Sequence, residues 1–115
     1  MALAELGPFA DAGLLILASL AEGPKHGYAM LEDIEAIAGV RMGPGTLYTT
    51  LARLQQRSWI EALPAEERRH PYRLTGAGLV VLRDQLARLE GFARIGLQRV
   101  GDGQGRIVAA GGATP

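Results

Sequence analysis

Between residues 46 and 57 the chain sets hydrogen-bond donors among regularly spaced leucines: Thr46, Tyr48, Thr49, Thr50, Arg53 and Arg57 surround Leu47, Leu51 and Leu54. Hydroxyl and guanidinium groups with no carboxylate among them suit phosphate oxygens and the acceptor edges of bases. Gly43 and Gly45 flank Pro44 just before this run and allow a close backbone approach. Arg68 and Arg69 add long cationic side chains further on, although Glu66 and Glu67 precede them. Residues 41–73 hold six basic side chains against three acidic ones. The whole chain balances twelve of each, so its net charge of zero hides a basic middle.

Other chemistries find less material. His26 and His70 are the only histidines, and with no cysteine in 115 residues there is no metal-ligand spacing, no thiol nucleophile and no disulfide. Neither a metal nor a cofactor is expected. Glu32, Asp33 and Glu35, like Glu66 and Glu67, read as solvated faces, since no nucleophile or second histidine stands near them. Gly101-Asp102-Gly103-Gln104-Gly105 neither follows a buried strand nor opens a strong helix, as a phosphate-binding turn would require.

A donor face of this kind must sit on a helix docked by its leucines. The proline of Gly43-Pro44-Gly45-Thr46 fits a first helical position, and the helix should run to about Arg57. Upstream, Asp11 can cap an apolar helix over Gly13–Glu22, stopped by Gly23-Pro24. Its apolar run of about ten residues is half of what a bilayer span needs. No Lys or Arg precedes Lys25, so no basic leader is read, and a cytoplasmic location is expected. A second helix is predicted from His26-Gly27 to Ala38, with Tyr28, Leu31, Ile34 and Ala38 as its stripe and Gly39 as its end. Trp59, Ile60 and Leu63, then Tyr72, Arg73 and Leu74, read as two short strands around a polar hairpin, with Trp59 closing the core.

Thr75 can cap a final helix to Val100, in which Leu79, Leu82, Leu86, Leu89 and Ala93 recur at spacings of three and four. That narrow seam suits pairing with a second copy. The glycine-rich segment from Gly101 on is expected to be a flexible tail. The order defines a mainly α chain with a small β-hairpin: a winged helix-turn-helix over residues 1–74, a dimerisation helix over 75–100 and a tail over 101–115.

Three stretches in this order, Lys25-His26-Gly27-Tyr28, Gly43-Pro44-Gly45-Thr46-Leu47-Tyr48 and Tyr72-Arg73-Leu74-Thr75-Gly76-Ala77-Gly78, resemble the signature segments of the PadR family of regulators. The resemblance spans Asp11 to Leu97. It implies a DNA-binding homodimer that represses nearby promoters, and in some members an apolar effector pocket at the dimer interface. It places Thr46 and Tyr48 at the DNA-facing start of the recognition helix, Tyr28 beside the backbone and Arg69 in the wing. Together with the donor pattern this gives Lys25, Tyr28, Gly45, Thr46, Tyr48, Thr49, Thr50, Arg53, Arg68 and Arg69 as candidate contacts to double-stranded DNA. The sequence departs from the family at Ser58, where glycine is usual, and in a short wing carrying Pro71. Two alternatives stay open: a winged helix used only to bind another protein, and a small enzyme or ligand-binding protein built on the dimer groove.

Overall fold

A computed structural model describes residues 11–110, with side chains to residue 103. The elements are α1 (Ala12–Ala21), α2 (Gly27–Ala38), α3 (Pro44–Gln56), β1 (Ile60–Ala62), β2 (Tyr72–Leu74) and α4 (Gly76–Ala110). One compact unit ends at Arg83, and a second begins at Asp84.

The helix starts follow from their caps. Asp11 accepts hydrogen bonds from the amides of Gly13 and Leu14, and His26 Nδ1 accepts one from Ala29. Thr75 Oγ1 accepts from the Gly78 amide at 3.0 Å and donates to the Ser58 carbonyl at 2.6 Å, which ties the α4 cap to the end of α3. Gly39, in the left-handed region at φ 69°, closes α2.

α1 is buried almost all round, through Leu15, Ile16, Leu17 and Leu20, and packs against α2, α3 and β2. Met30 and Ile34 of α2, Leu47, Leu51 and Leu54 of α3, and Ile60 of β1 complete the centre. Each fully buried side chain contributes about 1.5–3 kcal/mol relative to exposure. On α2 the stripe differs from the expectation. Met30 lies in the core, Leu31 and Ala38 flank it, and Tyr28 is 67% exposed. Tyr28 is two positions from Met30 on a helix, so both cannot share one face.

β1 and β2 pair antiparallel, with Ile60 opposite Leu74 and Ala62 opposite Tyr72. Lys25 adds an isolated bridge to Tyr72, closed by reciprocal backbone bonds of 3.0 and 3.2 Å. A single extended residue leaves no periodicity to detect, which is why only the hairpin was legible. At the wing tip Glu67 and Arg68 both have positive φ, 47° and 71°, and the amide of Arg69 reaches the carbonyl of Glu66 at 2.7 Å. This is a two-residue type I′ turn made without the usual Asn-Gly.

Ser58 also sits in the left-handed region, at φ 62°. Its amide bonds the Gln55 carbonyl, and the Trp59 amide bonds that of Leu54, so α3 ends in a Schellman motif whose left-handed position normally takes glycine. Ser58→Gly should therefore stabilise the protein by about 0.5–1 kcal/mol, since it removes the Cβ penalty while the backbone bonds stay. Urea unfolding checks this, and a lower midpoint for the variant would contradict it.

Two sequence boundaries move. The winged unit extends past residue 74 to Arg83, because Gly78, Val81 and Leu82 pack onto it. α4 continues to Ala110 and not Val100, so residues 101–110, expected in the tail, are helical. Extending an existing helix needs no new nucleus, and each glycine weakens it by only about 1 kcal/mol. Residues 111–115 lie outside the described residues.

Candidate nucleic-acid interface

α2, the five-residue turn Gly39–Gly43 and α3 form a helix-turn-helix in which α3 carries one apolar and one polar face. With Leu47, Leu51 and Leu54 turned inward, Gly45, Thr49, Ala52, Arg53 and Gln56 are exposed along one outward row, with Thr46 and Tyr48 on its two sides. Gln56 and Ala52 escaped the sequence reading. Gln56 follows Arg53 by three and Thr49 by seven, which puts it on the row by helical period, but a neutral amide does not stand out in composition as cationic and hydroxyl groups do.

The start of α3 is open. Its N-cap, Gly43, offers no side-chain acceptor, Pro44 has no N–H, and Gly45 and Thr46 are exposed. Backbone donors and the positive end of the helix dipole face outward there, a geometry that favours an anion. Tyr48 is 55% exposed, and its ring lies against Gly27 at the start of α2. Tyr28 is the next residue along from that glycine, so both phenols belong to the same end of the motif.

The cations sort by partner. Arg41 pairs with Glu35, Arg73 with Glu61 across the hairpin, Arg88 with Asp84 and Arg94 with Glu90. Among the described residues, Arg53, Arg57, Arg68, Arg69, Arg83 and Arg99 have no carboxylate within salt-bridge distance, and all are exposed. Arg68 and Arg69 ride on the wing tip, Arg53 lies on the outward row of α3, and Arg83 and Arg99 lie on α4.

Three residues are turned elsewhere. Lys25, a candidate DNA contact, has a side chain only 15% exposed and engaged inside the fold: Nζ donates to the Ser19 carbonyl and lies 3.7 Å from both Asp33 and Glu22. Asp33 in turn accepts from the buried Ser19 hydroxyl at 2.7 Å. The bridge from Lys25 to Tyr72 orients that side chain inward, so the residue holds α1, α2 and the wing together. Thr50 donates to the Thr46 carbonyl at 2.7 Å, and a methyl at Gly13 would stand 4.0 Å from Thr50 Cγ2, so Thr50 faces α1. Arg57 stacks over Trp59, 5.0 Å from the ring centroid. The seam on α4 is corrected too: Leu82 is 2% exposed within the core of the winged unit and is not free for a partner. Leu79 and Leu89 are half-buried, whereas Leu86 and Ala93 are exposed.

This arrangement defines a winged helix-turn-helix protein. The family model for the transcriptional regulator PadR-like family matches residues 16–84, and the chain belongs to that family. A transcriptional regulator from Clostridium thermocellum is 27% identical, with a TM-score of 0.69 over 77% of this chain and 89% of that one. A PadR family transcription regulator from Clostridium difficile shares the fold at 20% identity, with a TM-score of 0.70 over 77% of this chain and 97% of that one. A 37.1 kDa protein of transposon TN4556 from Streptomyces fradiae, uncharacterized, is 44% identical over 84 residues, 70% of this chain and 24% of that protein. The chain thus spans about a quarter of the length of that relative. No helix among the described residues is long and apolar enough to cross a membrane.

Proposed function

We propose that this protein is a sequence-specific DNA-binding repressor that acts as a homodimer on a pseudo-palindromic operator. The outward row of α3, with the carboxylate-free Arg53 between Thr49 and Gln56 beside an open helix start, is the observation that supports it. In this reading α3 enters the major groove, Thr49, Arg53 and Gln56 meet base edges, and Gly45, Thr46, Tyr28 and Tyr48 meet the backbone. Arg68 and Arg69 reach flanking phosphates from the wing.

The exposed apolar side of α4 supports the dimer. Leu86, Leu89, Ala93, Leu97 and Val100 fall on one side of the helix at heptad-like spacing, and a second copy would cover them. Two recognition helices related by a two-fold axis would then read half-sites about 34 Å apart. Occlusion of a promoter follows from such binding. The row on α3 carries donors and no carboxylate, which favours this reading over a protein-interaction module or an enzyme.

The test is selection of a duplex from a random-sequence pool, followed by anisotropy titrations over salt with a scrambled duplex as control. Affinity should fall steeply with salt, with a slope of about 0.9 per phosphate contacted. Arg53→Ala should lose about 1–3 kcal/mol on the selected duplex and relax preference at one position of each half-site. Equal binding to both duplexes at every salt concentration would overturn the reading, and an unchanged base preference in the variant would remove Arg53 from it.

A further inference from the structure

Gly27 is the first residue of α2, is buried, and is not among the residues with positive φ. Nothing in its backbone conformation calls for glycine. The reason for glycine is therefore space. A methyl group built there would stand 2.5 Å from Tyr48 Oη, 3.1 Å from Tyr48 Cζ and 3.2 Å from Leu47 Cδ2. The tyrosine ring of α3 rests in the notch left by the missing side chain of α2.

We propose that Gly27 is a positioning residue for the DNA-contacting face: by lacking a Cβ it seats Tyr48 across the start of α2. The inference rests on the DNA reading above and names the feature that orders one of its contacts. The colliding atom decides what a substitution does. Tyr48 Oη is the far end of a half-exposed side chain, free to swing outward, and Leu47 Cδ2 needs to yield only a few tenths of an ångström. Gly27→Ala should thus leave the fold standing and displace the phenol. A positioned hydroxyl would become a mobile one, and the cost appears at the DNA.

The experiment is a double-mutant cycle of Gly27→Ala and Tyr48→Ala on the duplex selected with the wild-type protein, with thermal unfolding of all four proteins. Single-site loss should be about tenfold in affinity for each variant, with no further loss when they are combined, because both remove one positioned ring. The Gly27→Ala midpoint should stay near wild type. The proposal is overturned if Gly27→Ala binds as the wild type does, or if its loss persists in full in the Tyr48→Ala background. 3-Fluorotyrosine labelling gives a second readout that needs no DNA: the Tyr48 resonance, assigned by its loss in Tyr48→Phe, should shift and sharpen in Gly27→Ala while that of Tyr72 does not. An unshifted resonance overturns the notch. If the wild type selects no duplex, the DNA reading fails and this resonance alone decides whether Gly27 seats the ring.

Discussion

Gly78→Ala is expected to destabilise the protein by about 3 kcal/mol or more, enough to leave much of it unfolded if its total stability lies at the low end of the usual range of about 5–15 kcal/mol. Gly78 is buried in the first turn of α4, and its φ is not positive, so alanine would be the better helix former there. Space forbids it. A methyl group at this position would fall on the Trp59 carbonyl oxygen and come within 2.9 Å of both the Trp59 carbonyl carbon and Leu74 Cδ1. That carbonyl is held in place, because it accepts the Thr75 amide at 3.0 Å, and the preceding carbonyl, of Ser58, accepts the Thr75 hydroxyl. Relief would need the first turn of α4 to lift from Trp59 and Leu74. Urea unfolding followed by fluorescence of Trp59, the single tryptophan, measures the loss. A loss below about 1 kcal/mol would mean that α4 does not approach the Trp59 carbonyl this closely. The contrast with Gly27 is physical: there a methyl meets the free end of a side chain, and here it meets backbone fixed by hydrogen bonds.

Lys25→Ala is the second large effect, about 2–3 kcal/mol of stability, somewhat below the full cost of breaking a buried ion pair because both side chains keep some exposure. Removing the ammonium leaves Asp33, whose side chain is 20% exposed, with only the Ser19 hydroxyl, and leaves the carbonyl of the buried Ser19 without its side-chain donor. The loss should shrink when Asp33→Asn is added, since the neutral amide no longer needs a counter-charge. This variant also tests the inward placement of the lysine. An internal lysine leaves the salt dependence of DNA binding unchanged at temperatures where the variant is folded. A slope lower by about one would return Lys25 to the phosphate contacts.

Both residues show where reading along the chain stops. The helices were legible because their evidence is local: Asp11, His26 and Thr75 cap the turn that follows them, Gly39 ends α2, and Leu47, Leu51 and Leu54 mark one face of α3. The outward positions of Thr49 and Arg53 followed from the same period, and Gln56 was available by it. The donor face and its chemistry therefore came from the sequence, as did the family resemblance that the comparisons established.

Direction toward a distant partner did not. Lys25 looked like a free cation until its bridge to Tyr72 and its pairing with Asp33 turned it inward. Leu82 fits the seam of α4 by spacing, yet the first two turns of that helix pack on the winged core, so spacing alone does not say which part of the stripe is left uncovered. Thr50 belonged to the polar run by composition and faces α1 by geometry. Gly27 and Gly78 stand in two of the signature segments, but no local periodicity says why they are glycine, since each is required by an atom twenty or so residues away in the chain. Sequence by itself determined what is periodic or capped, because those forces act within one or two turns; the tertiary structure alone decided which charge, stripe and glycine meets which neighbour, because steric exclusion and ion pairing act through space between segments that local periodicity does not connect.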